Sequence, residues 1–445
     1  MILNLSVLIV FLLLLIVSIS KWKVHPFIAL ILIALALGLS SGLGGQQTVE
    51  VLLKGFSETL RWIAIIIILG AFIGEVLQET GGAFRISDRV VKLAGEKKLP
   101  WAMGFTGYLV SIPVFVDVAY ILLQPVVESL SVKSKRPVLY IGLALTAGLT
   151  VSHTLIPPTP GPMAVASLLG LNMGRMLLIN MIVAIFALTG GILWVIFFCK
   201  NSWIEYDKKL NDSPHIGNDE ISGGLASKRK NSLFDILPIL TPIILIGSGA
   251  FISFDAASMT GKIFNFISMP LVAVMIGAFI AGLQLKTFKK KNVVSRLVDQ
   301  AILKSALVIM ITGAGGSLGF VIKETGIQNE IVTVFTNFPF LGIMLPFLVA
   351  SLLTISTGSI TVSLVGTASM VGPIVDSLPV SPEMVAALIG CGSFCVFHAN
   401  SSFFWLLNRL HEVPPNILYR TYTVQSLVMG IFGLAGVIVL KIFGF

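Results

Sequence analysis

Charge is scarce in this 445-residue chain: Lys and Arg number 30, Asp and Glu 21, together 11% of the residues, where a soluble domain averages about 25%. That deficit excludes an ordinary water-soluble globule. Cysteine is scarcer still. Cys199, Cys391 and Cys395 are too few for a disulfide framework and lack the partners of a structural zinc site. Cys391 and Cys395, four residues apart in an apolar stretch, share a helix face and read as packing. The glycine-rich run GAGGSLG (313–319) is not followed by the GK[ST] of a phosphate loop, so ATP hydrolysis is excluded and tight helix packing is the better reading. His153 and His398 belong to no HExxH and have no carboxylate-rich cluster around them. A metal hydrolase is therefore poorly supported, and no cofactor or metal is expected.

What remains is apolar. Hydrophobic residues make up 56% of the chain and the mean hydropathy is +0.96, enough for about twelve crossings at roughly 20 residues each. The expected fold is an all-α polytopic membrane protein of the cell (cytoplasmic) membrane, with about 10–14 segments once broken or re-entrant helices are counted. The net charge of +9 does not point to nucleic acid, because the basic residues lie between apolar segments, where they orient spans toward the cytoplasm. Residues 1–20 carry no charge, and Lys21 and Lys23 follow rather than precede them. A cleaved signal peptide needs the reverse order, so this segment is expected to stay as a span.

Uncharged runs at 24–49, 62–74, 176–199, 236–254, 263–285, 305–322 and 421–440 read as plain spans. Four other apolar segments are interrupted. Pro113 and Asp117 break 101–127; His153 and IPPTPGP break 137–174; STGSITVS breaks 331–375; and His398, Asn400, Ser401 and Ser402 break 384–408. Non-helical backbone at membrane depth is tolerated only where it is buried in protein or lines a cavity, so each break is a candidate site position. RISDRVVKLAGEKK (85–98) and KTFKKKNVVSRLVDQ (286–300) are amphipathic, basic and expected at the headgroup surface.

The chain reads as a duplication. GAFIGEVLQETG (70–81) matches GGSLGFVIKETG (315–326) at six of twelve positions, an offset of 245 residues that also carries Ser111 onto Ser356 and His153 onto His398. Arg85, Arg89, Lys92, Lys97 and Lys98 follow the first copy, whereas 327–345 holds no Lys or Arg; Lys133, Lys135 and Arg136 likewise map onto LPVS (378–381). The positive-inside rule then places corresponding loops on opposite faces, the signature of inverted-topology repeats in a secondary transporter. The expected organisation is a first membrane repeat (1–199), a polar cytoplasmic linker (200–235) and a second membrane repeat (236–445).

The breaks supply the chemistry. Asp117 is a carboxylate in an apolar segment; it must be protonated, paired or open to water, and is the candidate for proton coupling, a structural cap being the alternative. Ser359 and Thr361 stand where Gly358 frees backbone amides, and half-helix amino termini with hydroxyls suit an anionic, hydroxyl-rich ligand. His153, His398 and Asn400 complete the candidate substrate-binding set, with the alternative that each histidine only holds broken backbone in place. Three functions stay open: a proton-coupled carrier of a small organic anion, a membrane-embedded enzyme built on the two histidines, and an anion channel. The carrier is the reading that paired breaks favour, and no enzymatic activity is expected.

IPVFVDVAYILLQP (112–125), the His153 segment with PPTPGP, GAGGSLG (313–319), TGSITVS (357–363) and HANSSFFW (398–405) together resemble the gluconate permease family of proton symporters, in order and over nearly the whole chain. The resemblance implies uptake of gluconate or a related sugar acid with protons, with paired re-entrant hairpins forming the transport site. Other small organic anions, D-amino acids and sodium coupling stand as alternatives. The implied partners are the substrate anion, protons, the bilayer and a second copy as a homodimer. Thr159 replaces a histidine usual in the proline run, and Ser401, Ser402 and Phe403 replace an Asp–Ser–Gly, which leaves Asp117 as the main acidic candidate among these motifs.

Overall fold

The computed structural model describes residues 5–94, 98–199, 232–252, 258–285, 291–325, 339–399 and 401–444; among them every regular element is helical. Six helices are each long and apolar enough to cross a membrane, two bent helix pairs pass the same test jointly, and three shorter apolar helices accompany them. Helices close their own backbone hydrogen bonds, which hydrocarbon demands. The chain is thus an all-α, multi-pass membrane protein with broken helices.

The first stretch contains α1 (Leu5–Ser20), α2 (Pro26–Ser40), α3 (Gly45–Glu79), α4 (Gly82–Ala94), α5 (Leu99–Val110), α6 (Val116–Ser134), α7 (Val138–Leu155), α8 (Pro160–Leu168) and α9 (Met173–Phe198). The second contains α10 (Ser232–Phe251), α11 (Met259–Ser268), α12 (Pro270–Gln284), α13 (Lys291–Glu324), α14 (Pro339–Thr357), α15 (Ile360–Val371), α16 (Pro382–Ser393), α17 (Ser402–His411) and α18 (Pro415–Ile442). Starts are set locally. Pro26, Pro100, Pro160, Pro270 and Pro382 occupy first turns, where a missing N–H is harmless, and Asn172 caps α9 by accepting from the Arg175 amide at 3.1 Å.

Shifting by 245 residues lays α2 on α12, α3 on α13 and α9 on α18, with ends within a few residues. The packing repeats in the same way: α2 lies against α13 as α12 lies against α3, and α5 against α7 as α14 against α16. α3 and α13 run antiparallel along each other. Ser317 Oγ donates to the Leu52 carbonyl at 2.9 Å near one end, and Lys304 pairs with Glu75 at 2.5 Å near the other. Between them Gly316 of the GAGGSLG run packs on Gly55, where an added methyl would lie 2.6 Å from the Gly55 carbonyl oxygen. α9 and α18 are antiparallel too, with Phe186 against Gly436 and Gly190 against Phe432.

One of the two surface segments differs from expectation, and the other is anchored to a neighbouring helix. α4 buries Ile86 and Ser87, and its Arg85 grips Asp235 of α10 through Nε at 2.7 Å and Nη2 at 2.6 Å while Nη1 reaches the Thr80 carbonyl at 2.7 Å. Asp235 therefore belongs to a helix rather than to the polar linker, whose residues 200–231 lie outside those described. Residues 291–300 are the first turns of the 34-residue α13 rather than a separate surface helix, because Leu297 and Ala301 continue its buried face; residues 286–290 lie outside those described.

Candidate functional site

All four breaks interrupt helices. α5 ends at Val110, and Ser111 Oγ closes the following turn on the Val114 carbonyl at 2.9 Å. The Pro113 carbonyl rests on Gly74 of α3, at a point any side chain would occupy. α7 ends at Leu155 before Ile156–Thr159, which contains the cis Pro157–Pro158 bond and leads into α8. α14 ends at Thr357; Gly358 adopts φ 69°, a left-handed conformation natural to glycine. Ser359 then caps α15, accepting from the Val362 amide at 3.4 Å. α16 ends at Ser393, Val396 sits at φ 61°, and α17 starts at Ser402.

Three of the restarting helices point their amino termini at one cavity of about 190 Å³. Val116 and Asp117 open α6, Ser359, Ile360 and Thr361 open α15, and Ser401 and Ser402 open α17; all of them line it. Thr150 and His153 of α7 complete the polar wall, and Phe115, Phe397, Phe403 and Tyr422 form an aromatic one. The space is small beside drug-sized pockets of roughly 300–1,000 Å³. No Lys or Arg among the described residues lines it. The helix termini that face it bring first-turn amides with partial positive charge.

Burial divides the lining. Asp117 and Ser402 are exposed into the opening, Ser359 and Thr361 are half-buried, and Thr150, His153, Ser401 and Tyr422 are buried. His153, 7% exposed, leaves its Nδ1 without a hydrogen-bond partner among the described residues, and the Phe115 ring stands 5.5 Å from its imidazole. A buried imidazole nitrogen needs a partner. Tyr422 stacks parallel to Phe397 at 5.9 Å.

Of the residues singled out from sequence, Asp117, His153, Ser359 and Thr361 meet in this cavity. His398 does not line it: its Nε2 bonds the Ile355 carbonyl at 2.9 Å, tying the fourth break to the last turn of α14. Asn400 lies outside the described residues. Ser356 and Thr357 turn back on the Leu352 and Leu353 carbonyls at 2.7 Å each, the usual satisfaction of a hydroxyl in an apolar helix. Thr150 and Tyr422 were missed. Thr150 stands one turn before His153 on the same face, a spacing available from sequence. Tyr422 comes from a π-helical turn, Tyr419–Thr423, that straddles the start of what reads as a plain span; the polar-aromatic string YRTYT was its signal, since π turns gather at functional sites.

The whole-chain comparison is decisive, with the family model described as GntP family permease matching residues 1–443. The chain belongs to the GntP permease family. An uncharacterized permease of Haemophilus influenzae is 32% identical over 95% of this chain and 89% of that one. A gluconate permease of Pseudomonas aeruginosa is 29% identical over 96% and 95%. Among solved structures, the YdaH transporter of Alcanivorax borkumensis superposes with a TM-score of 0.68 over 95% of this chain and 99% of that one at 15% identity, a likeness of fold. This GntP family member is a multi-pass cell-membrane permease, a transporter rather than an enzyme.

Proposed function

We propose that this permease carries a small hydroxylated carboxylate, gluconate or a related sugar acid, into the cell together with protons. The observation that carries the reading is the cavity where three helix amino termini, the hydroxyls of Ser359 and Thr361, His153 and Asp117 converge. A substrate carboxylate is held at the amino terminus of α15, where dipole and amides favour an anion without a fixed cation. Thr150, Ser402 and His153 meet the substrate hydroxyls, and Asn400 is assigned to the same set. His398 positions the break through Ile355. Asp117 carries the proton. A gluconate permease among the relatives supports the substrate class.

Transport needs the cavity to open on alternate faces, and an inverted duplication supplies two halves that exchange roles. Antiparallel packing of α3 on α13 and of α9 on α18, each the 245-residue counterpart of the other, supports opposite insertion of residues 1–199 and 236–445. Cysteines at Lys133 and Asp376, in a background with Cys199, Cys391 and Cys395 replaced by alanine, are expected to react with an impermeant reagent from opposite sides of the membrane. Reaction from one side would remove the inversion.

The function itself is tested in proteoliposomes. Acid outside is expected to drive saturable accumulation of labelled gluconate, with other aldonates competing and uronates and D-amino acids competing less. Uptake driven by a sodium gradient without a pH gradient would reassign the coupling ion, and non-saturable flux would make the protein a channel.

A further inference from the structure

A second cavity, of about 830 Å³, lies away from the transport site, at the shared end of α5, α7 and α9. Lys98, Pro100, Trp101, Arg136, Tyr140, Ile196 and Phe197 line it. Lys98 is the residue on which α5 starts, and Arg136 precedes Pro137, on which α7 starts. Two helix amino termini and two cations therefore converge on one space, beside the carboxyl end of α9, and no carboxylate among the described residues lines it. An anion is the ligand this arrangement favours.

The apolar part of the wall narrows the choice of anion. Arg136 lies 5.7 Å from the centre of the Tyr140 ring, a cation held over an aromatic face. Trp101 is 40% exposed and Phe105, one turn further along α5, 49%; Phe197 opposite is 71% exposed. A soluble anion has no use for that surface. Acyl chains do, and Trp and Tyr with basic residues at the ends of apolar helices mark the headgroup level of a bilayer. We infer that this cavity is a binding site for an anionic glycerophospholipid, with the phosphate diester held between Lys98, Arg136 and the amino termini of α5 and α7 and a chain running along Trp101 and Phe105.

The full chain in non-ionic detergent is titrated with brominated-chain phosphatidylglycerol or phosphatidylcholine while tryptophan fluorescence is followed. Phosphatidylglycerol is expected to quench a component that phosphatidylcholine does not, and Trp101→Phe to lack that component. The double variant Lys98→Gln/Arg136→Gln should bind phosphatidylglycerol about thirty-fold more weakly, about fivefold for each charge, with the phosphatidylcholine titration unchanged as the check on folding. Arg136→Lys should keep most of the affinity. Glycerol 3-phosphate in excess should leave the quenching in place. Equal quenching by the two lipids, or unaltered affinity in the double variant, overturns the site. Displacement by glycerol 3-phosphate overturns the lipid assignment in favour of a soluble anion.

Discussion

The break between Val110 and Val116 and its counterpart between Thr357 and Ile360 solve the same backbone problem with different side chains. In the first, five residues turn through a Ser111–Val114 hydrogen bond, Pro113 backs onto α3, and the restarting helix carries Asp117 in its first turn. In the second, two residues suffice because Gly358 takes a left-handed conformation, and the restarting helix has a neutral cap, Ser359, with Thr361 beside it. The 245-residue offset places Val362 opposite Asp117, so only one break owns a carboxylate. A helix amino terminus that already holds a carboxylate has little left for an anion, whereas one capped by a hydroxyl keeps its positive end available. Both breaks restart a helix but differ in its first turn, a carboxylate in one and hydroxyls in the other, a division that fits the proposed separation of proton handling from anion recognition.

Removing the carboxylate tests that division most severely. Asp117→Asn mimics the protonated form, so counterflow of labelled gluconate should persist while accumulation driven by a pH gradient disappears; accumulation retained would pass the coupling role to His153. Next in size, Thr361→Asp gives the second break a carboxylate of its own and should abolish measurable anion binding through like-charge repulsion, with the protein still inserted and monodisperse. Milder loss is expected for Ser359→Ala or Thr361→Ala, each raising KM for uptake by about two- to tenfold, the value of one hydrogen bond at roughly 0.5–1.5 kcal/mol. Unchanged kinetics in both would make the second break purely structural.

The smallest effects concern the backbone. His398→Gln should lower thermal stability by about 1 kcal/mol through its bond to the Ile355 carbonyl while moving KM less than twofold; a large KM change with intact stability would return His398 to the substrate. Gly358→Ala should cost about 1 kcal/mol for its left-handed φ, whereas alanine at Ser111, which loses one turn-closing bond, should cost no more than that.

Much of this was legible in the chain because hydrocarbon is an unforgiving solvent. Pro113, IPPTPGP, Gly358 and the polar string around His398 interrupt apolar runs where an unbroken helix is the default, so the breaks show in composition alone. Asp117, His153, Ser359 and Thr361 were visible for the same reason. What stayed hidden depends on direction rather than content. Tyr422 lines the cavity from a π turn at the start of α18, and His398 faces a carbonyl rather than the cavity because of how α14 ends beside it.

Sequence by itself determined that the chain is membrane-embedded, all-helical and interrupted at four places, since apolar run length, charge placement and backbone breakers act locally. Tertiary structure alone decided which breaks meet. Asp117, His153 and Ser359 are separated by tens to hundreds of residues and converge because Gly74 lets the Pro113 turn lie on α3 and because α3 and α13 pack close enough for Gly55 and Gly316 to touch. Close approach between distant helices is set by the shapes of both partners at once, and the residues of either one alone do not specify it.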